Sequence, residues 1–339
     1  MMTVKGVKVS WMALILVGLC IVAFVLLAAR GGGVVSWFQG NRLVLVQAVV
    51  TGLLLGGVYS LVSMGLTLIF GVLDVLNFAH GALMTLAMYT SFVLVSSAGF
   101  GPYLSVLVSV PLLFVIGVLV QRFLLNRVMD QPHENQLLLT FGLALLIENV
   151  LLMFFSATPR NVGFPYAETG ISLGVTTIQG PLNILGAVAD LPRVIAFLGS
   201  LVIAALLYYV LRRTSLGTAI RAVAENPDGA AMVGIDVRRM HMITFGLGTA
   251  CVGAAGALVL PFLSLQPTTG EQFNVIAFVV VVLGGLGNVV GALIGGLLIG
   301  LVQEIGGVVL PGVDKLFFVF VIFVLTLLLR PQGLLGKKS

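Results

Sequence analysis

The feature that most constrains this chain is a run of 31 residues, 43–73, without a single charged side chain. As a helix it would measure about 46 Å, well beyond the roughly 30 Å hydrocarbon core of a bilayer. Such a segment has to tilt, bend or include a re-entrant stretch. It also has company. From Val75 to Gln121 only His80 can carry charge near neutral pH, and a Gly-Phe-Gly-Pro turn at 99–102 divides that stretch into two spans. Residues 135–159 form another span, interrupted by Glu148 alone, and 194–211 and 242–263 follow. Only 9% of the 339 residues are charged and 59% are apolar. Soluble domains run nearer a quarter charged, so a freely soluble enzyme is excluded.

Three segments need separate treatment. The first apolar run, 11–29, follows Lys5 and Lys8; it is long for a signal peptide and is read as a retained helix. Residues 272–303 exceed one simple span and hold Gly284, Gly285, Gly287 and Gly291 in their middle, so they either re-enter or cross twice. The last run, 316–329, is too short to cross unaided and is expected to borrow from 305–315. Between the spans, the polar segment 160–193 has alternating pieces such as 171–178 and reads as a small extramembrane cap. The expected architecture is an all-α integral membrane bundle of eight or ten spans with discontinuous or re-entrant helices. It forms one transmembrane domain over 1–339.

Orientation follows from the basic residues. Placing the N-terminus, the 122–134 loop, the 212–240 loop and the C-terminal tail on one side gathers twelve of the seventeen Lys and Arg there. By the positive-inside rule that side is cytoplasmic, with both termini on it.

Two constellations stand out. The first is Asp74-Val-Leu-Asn-Phe-Ala-His-Gly81, which puts Asp74, Asn77 and His80 directly after the overlong run. Polar groups at membrane depth are costly and face a cavity or a neighbouring helix. Asn77 is expected to cap the next helix, whose N-terminus could meet an anion, as broken helices do in many transporters. The alternative is an interfacial cap packed on the next loop. The second constellation is the 212–240 loop, which reads as two short helices. Asn226 caps the second, Pro227 sits in its first turn, Asp228 lies at its positive end and Gly234 stops it. Ala230, Ala231 and Met232 are expected to give it a small apolar surface. That surface suits a cytoplasmic partner; an ordinary positive-inside loop is the other reading.

Glu148 sits near the middle of its run and has to neutralise or find a partner. A helix–helix anchor with Asn149 is favoured over a pathway role. Gln303 and Glu304 lie at one end of the glycine-rich segment. The glycine pairs 52/56, 291/295 and 296/300 have small-xxx-small spacing and predict close helix contacts. Gly285-Leu-Gly287 lacks the spacing and the preceding strand of a dinucleotide fingerprint, and the Gly333–Ser339 tail is no P-loop. The three scattered histidines, 80, 133 and 241, make no metal site.

Three stretches, in order, resemble the LivH-type permeases of bacterial ABC importers for branched-chain amino acids. They are Gly52–Gly71 running into Asn77-Phe-Ala-His-Gly81; Arg221-Ala-Val-Ala-Glu225 through Gly234-Ile235; and Val282–Gly296 with Pro331–Gly336. The resemblance implies the permease fold of such importers in the bacterial inner membrane. It implies a LivM-like second permease, two cytoplasmic ABC ATPases that bind ATP and magnesium, and a periplasmic binding protein. This chain itself would hold no cofactor and be no enzyme. Asn77, Phe78, His80, Gly81 and Glu148 would line the substrate path. Arg221, Glu225, Asn226, Ala230, Ala231, Gly234 and Ile235 would couple to the ATPase. Departures from the family pattern put branched-chain specificity in question, since related importers carry urea, short amides or aromatic acids. The 11–29 helix looks added, Glu148 stands where a neutral amide is expected, and Gln303 precedes the acid Glu304. A self-sufficient secondary transporter built from inverted repeats is the competing reading.

Overall fold

The computed structural model describes residues 42–129, 131–162, 171–172, 177–178, 182–184, 187–330 and 332–335. The 11–29 helix and the Lys337–Lys338 tail lie outside the described residues. Eleven α-helices are described: α1 Arg42–Leu73, α2 His80–Ala98, α3 Val106–Phe123, α4 His133–Phe155, α5 Leu191–Arg213, α6 Ser215–Glu225, α7 Pro227–Met232, α8 Val237–Val259, α9 Thr269–Gly284, α10 Val289–Val309 and α11 Lys315–Leu329. Seven are long and apolar enough to cross a membrane, and α9 and α11 are shorter apolar helices. Within 160–193 two small antiparallel ladders are described, Ile171–Ser172 with Thr177–Ile178 and Leu182–Ile184 with Ala187–Ala189.

The overlong run does not re-enter. It is one continuous helix, α1, of 32 residues, most of it buried by protein. Its length is tolerated because other helices, rather than lipid, cover it along most of its course.

The 272–303 segment breaks at residues 285–288 into two helices, α9 and α10. Gly285 and Gly287 have φ of 99° and 76°, a left-handed conformation open to glycine at little cost. Asn288 then caps α10 by accepting from Gly291 N at 3.0 Å. From there α10 returns along α1, with Gly287 beside Gly71, Gly296 beside Ser60 and Gly300 beside Gly52. Ser60 Oγ donates to the Leu293 carbonyl at 2.7 Å across this seam. The predicted glycine contacts are therefore real, and they let two backbones touch. Helix α11 takes only Lys315 from 305–315. Residues 305–309 complete α10, Gly312 turns the chain at φ 92°, and Asp314 starts a new helix by accepting from Leu316 N at 2.8 Å. The chain end comes back to α9, where Leu334 N donates to the Leu283 carbonyl at 2.7 Å. Among the described residues the bundle thus combines seven membrane-length helices with the shorter α9 and α11.

The two halves are related by an inverted pseudo-twofold. A long helix, an extended link, a short helix and a return helix occur once as α1–α2–α3 and once, oppositely directed, as α8–α9–α10. Correspondingly α1 packs on α10 and α8 packs on α3. On the axis, Gly65 meets Gly248 and Gly81 meets Gly270, each glycine facing the other's carbonyl. Eight of the twelve described Lys and Arg fall on the face that bears the 212–240 loop, and Arg42, Arg160, Arg193 and Lys315 on the opposite one. This agrees with the division expected from the sequence.

Candidate functional site

At the first break, Asp74 leaves α1 with a φ of 53°, unusual for a residue with a side chain. The chain then runs extended back into the bundle until α2 begins at His80, level with Val62. That is eleven residues, or about 16 Å, short of the end of α1. An extended backbone inside a membrane protein has to find partners for its peptide groups. Here α4 and α9 provide them. Thr140 Oγ1 accepts from Phe78 N and lies 3.3 Å from the Leu76 carbonyl, and Asn274 Nδ2 donates to the Phe78 carbonyl at 3.1 Å. The Phe78 ring rests on Phe278 at 5.1 Å between centroids.

Asn77 does not cap α2. The cap position is Ala79, without a side-chain bond, and Asn77 Oδ1 instead accepts from Ala79 N at 3.1 Å, two residues on. This is a local turn that competes with capping. His80 Nε2 lies 2.9 Å from the Val62 carbonyl and acts as donor there. Asn77 and His80 are both fully buried, and each keeps one side-chain nitrogen without a hydrogen-bond partner.

The first turn of α9 covers the N-terminal end of α2. Gly81 and Gly270 touch backbone to backbone, and Thr85 Oγ1 accepts from Gly270 N at 2.9 Å. The structure therefore gathers Asn77, Phe78, His80 and Gly81 at one crossing, where the starts of two oppositely directed half-helices meet. Thr85, Thr140, Gly270 and Asn274 complete it and were missed from sequence. The available signal was weak: single polar residues inside otherwise apolar helices.

Glu148 lies on the buried face of α4, within electrostatic range of Glu271 in the first turn of α9. It is not anchored through Asn149. That residue is exposed and donates to the Leu145 carbonyl of its own helix at 2.8 Å. Residues 148 and 149 point to different faces because successive helical positions are about 100° apart.

The 212–240 loop folds as expected, with a cap at each start. Thr214 Oγ1 accepts from Gly217 N at 3.1 Å, Asn226 Oδ1 from Gly229 N at 2.9 Å, and Asp236 Oδ1 from Arg239 N at 3.0 Å. Gly234, at φ 87°, ends α7 in a Schellman arrangement, with Ile235 N on the Ala230 carbonyl and Gly234 N on the Ala231 carbonyl, both at 3.0 Å. Ala230 is buried against α6 and offers no outer surface, contrary to expectation. Ala231 is exposed, and Met232 and Val233, at 88% and 76% exposed, form the protruding tip. Arg221 is exposed, and its guanidinium donates to the Leu211 carbonyl at the end of α5 and to Thr218 Oγ1. This contact ties α6 to the end of α5. Glu225 is exposed.

Seven membrane-length helices, an inverted repeat broken at mid-depth and a capped knob on the basic face define a multi-pass membrane permease. The chain belongs to the family described as branched-chain amino acid transport system / permease component, which it matches over residues 48–329. It is 27% identical to the high-affinity branched-chain amino acid transport system permease protein LivH of Escherichia coli K12, over 86% of this chain and 96% of that one. It is 29% identical to a probable branched-chain amino acid transport permease protein LivH of Methanocaldococcus jannaschii, over 88% and 93% respectively. It is also 31% identical to the ribose import permease protein RbsC of Escherichia coli K12, over 56% and 57%. No solved structure matches.

Proposed function

We propose that this chain is the membrane-spanning permease subunit of an ATP-driven ABC importer in the bacterial inner membrane. It would take branched-chain or other hydrophobic amino acids from a periplasmic binding protein and release them to the cytoplasm. Its partners are a second, LivM-like permease and two cytoplasmic ATPases, which bind the ATP and magnesium; this chain is no enzyme and binds no cofactor. The observation that carries the reading is the α6–α7 knob. Met232 and Val233 protrude from a tightly capped turn on the face that the positive-inside rule makes cytoplasmic. Apolar side chains there are unfavourable in water and suit a cleft in a partner.

Closure of the ATPase pair would push this knob and, through Arg221 and α5, tilt the bundle. The crossing of α2 with α9 is the element that has to move, because a substrate carboxylate reaches the N-terminal end of α2 only when α9 withdraws. Asn77, Phe78, His80, Gly81 and Glu148 would then border the path. The inverted repeat also suits a secondary transporter, but repeats of this kind describe how a transporter fold is built rather than what drives it.

Co-purification from the native membrane tests the assignment. A tagged chain should bring an ATPase and a second permease with it, and Met232→Asp should lose the ATPase while keeping the permease. A chain that purifies alone contradicts the reading.

A further inference from the structure

A cavity of about 510 Å³ lies on the face that bears the 212–240 loop, between the last turns of α1, the end of α5, α6 and the break at 285–288. Arg212 and Arg221 line it, and so does the first turn of α10 through Val289 and Val290. A helix leaves its first N–H groups without partners inside the helix, and here the Asn288 cap takes that of Gly291. The positive end of α10 therefore borders the same space as the two arginines. Arg221 is already bonded to the Leu211 carbonyl and to Thr218, and adds its charge. Arg212 rests on the Tyr208 ring at 5.8 Å and makes no hydrogen bond or ion pair among the described residues. Thr67 lines the cavity too; it is fully buried, yet its hydroxyl has no hydrogen-bond partner. Buried polar groups are nearly always bonded, so an orphaned hydroxyl beside two cations and a helix N-terminus points to an anion with several acceptor oxygens.

Two features choose among anions. The Glu225 carboxylate belongs to the same lining, so two arginines and one glutamate leave a single net positive charge. That matches a phosphodiester monoanion better than a phosphate monoester, which carries nearly two charges at neutral pH. The rim, in turn, is apolar: Tyr208, Leu286, Val290 and Leu335 are all exposed there. Exposed apolar side chains interleaved with arginine suit the boundary between lipid head groups and acyl chains rather than open water. We propose that this cavity binds the phosphodiester of a phospholipid from the leaflet on this face. Arg212 and the first turn of α10 hold the phosphate, Thr67 donates to one of its oxygens or to a neighbouring ester, and the acyl chains leave past Tyr208 and Val290. The lipid fills the gap between α6 and α1, beside the knob and not on it. This inference goes beyond the permease reading and does not depend on it.

The test uses the full chain, purified with the partners it keeps and placed in nanodiscs that contain phosphatidylethanolamine with a photoreactive diazirine close to its glycerol. Label should concentrate on the peptides 208–212 and 286–290. Arg212→Gln and Thr67→Val should each lower it at least fivefold in protein of unchanged assembly and melting temperature, and Arg212→Lys should keep most of it. Arg213→Gln, adjacent in sequence but outside the lining, should leave the labelling as in the parent. An equal loss with Arg213→Gln reduces the effect to the general attraction of basic residues to the membrane surface and overturns the site, as does full labelling of Arg212→Gln. Glycerophosphoethanolamine, the same diester without acyl chains, should not displace the label even in large excess. Displacement would give the cavity to a soluble phosphodiester and overturn the lipid assignment. Label absent from both peptides of the parent, as when a partner protein covers the cavity, also overturns it, and that result holds whether or not the variants fold.

Discussion

Gly81 and Gly270 set how closely α2 and α9 can approach. A methyl group on Gly81 would overlap the Gly270 carbonyl oxygen and come within 2.7 Å of Asn274 Cβ, and neither backbone can retreat without parting α2 from α9. Overpacking at a well-packed contact costs about 1–3 kcal/mol, and a backbone-to-backbone contact belongs at the upper end of that range. Gly81→Ala should therefore lower the melting temperature of the purified chain clearly, whereas Gly142→Ala, on a helix surface with open space, should leave it unchanged. The sequence pointed to the glycine at 81 through the Asn77–Gly81 motif. It did not point to Gly270, because that partner is 189 positions away and sits in no recognisable motif. The mistaken cap at Asn77 has a similar origin. An Asn near a helix start can bond to the backbone either two or three residues on, and only the path of the chain decides between them.

Among the elements, the 212–240 loop was the most legible, since each of its signals acts within four residues of itself. Asn226, Pro227 and Gly234 do locally what such residues do at helix ends. Which side of α7 faces outward was not legible, because it depends on how α6 docks on α5 through Gly217 and Arg221. Hence Ala230 was expected outside and lies inside. Replacing Asn226 with Ala should remove the bond to Gly229 N and destabilise the knob by about 1 kcal/mol. Hydrogen exchange should rise at α7 and stay unchanged in α1 and α10. A uniform rise across the bundle would mean that the knob is not an independent local element.

For the whole molecule, composition and charge-free runs were enough to give a polytopic helical bundle and the face on which most of its basic residues gather, because the bilayer imposes lengths that can be counted. They left open whether 272–303 crosses or re-enters, since the break at 285–288 is compatible with both. In the fold the segment forms two antiparallel helices: α10 runs the length of α1, and Lys315 pairs with Glu304 on the face opposite the 212–240 loop. Two crossings in this segment place Gly312 and Met232 on opposite sides. With Cys20 and Cys251 replaced by Ser, Gly312→Cys should react with an impermeant maleimide from the periplasm and Met232→Cys only after the membrane is opened. Labelling of both from one side would contradict the topology.

The central claim is that this permease is driven by a partner ATPase. Uptake of radiolabelled leucine into proteoliposomes holding the purified complex tests it most directly, with binding protein outside and ATP inside. Accumulation is predicted to need both, to stop with vanadate and to persist when an uncoupler collapses the ion gradients. Uptake by this chain alone, abolished by the uncoupler and indifferent to ATP, would contradict the account.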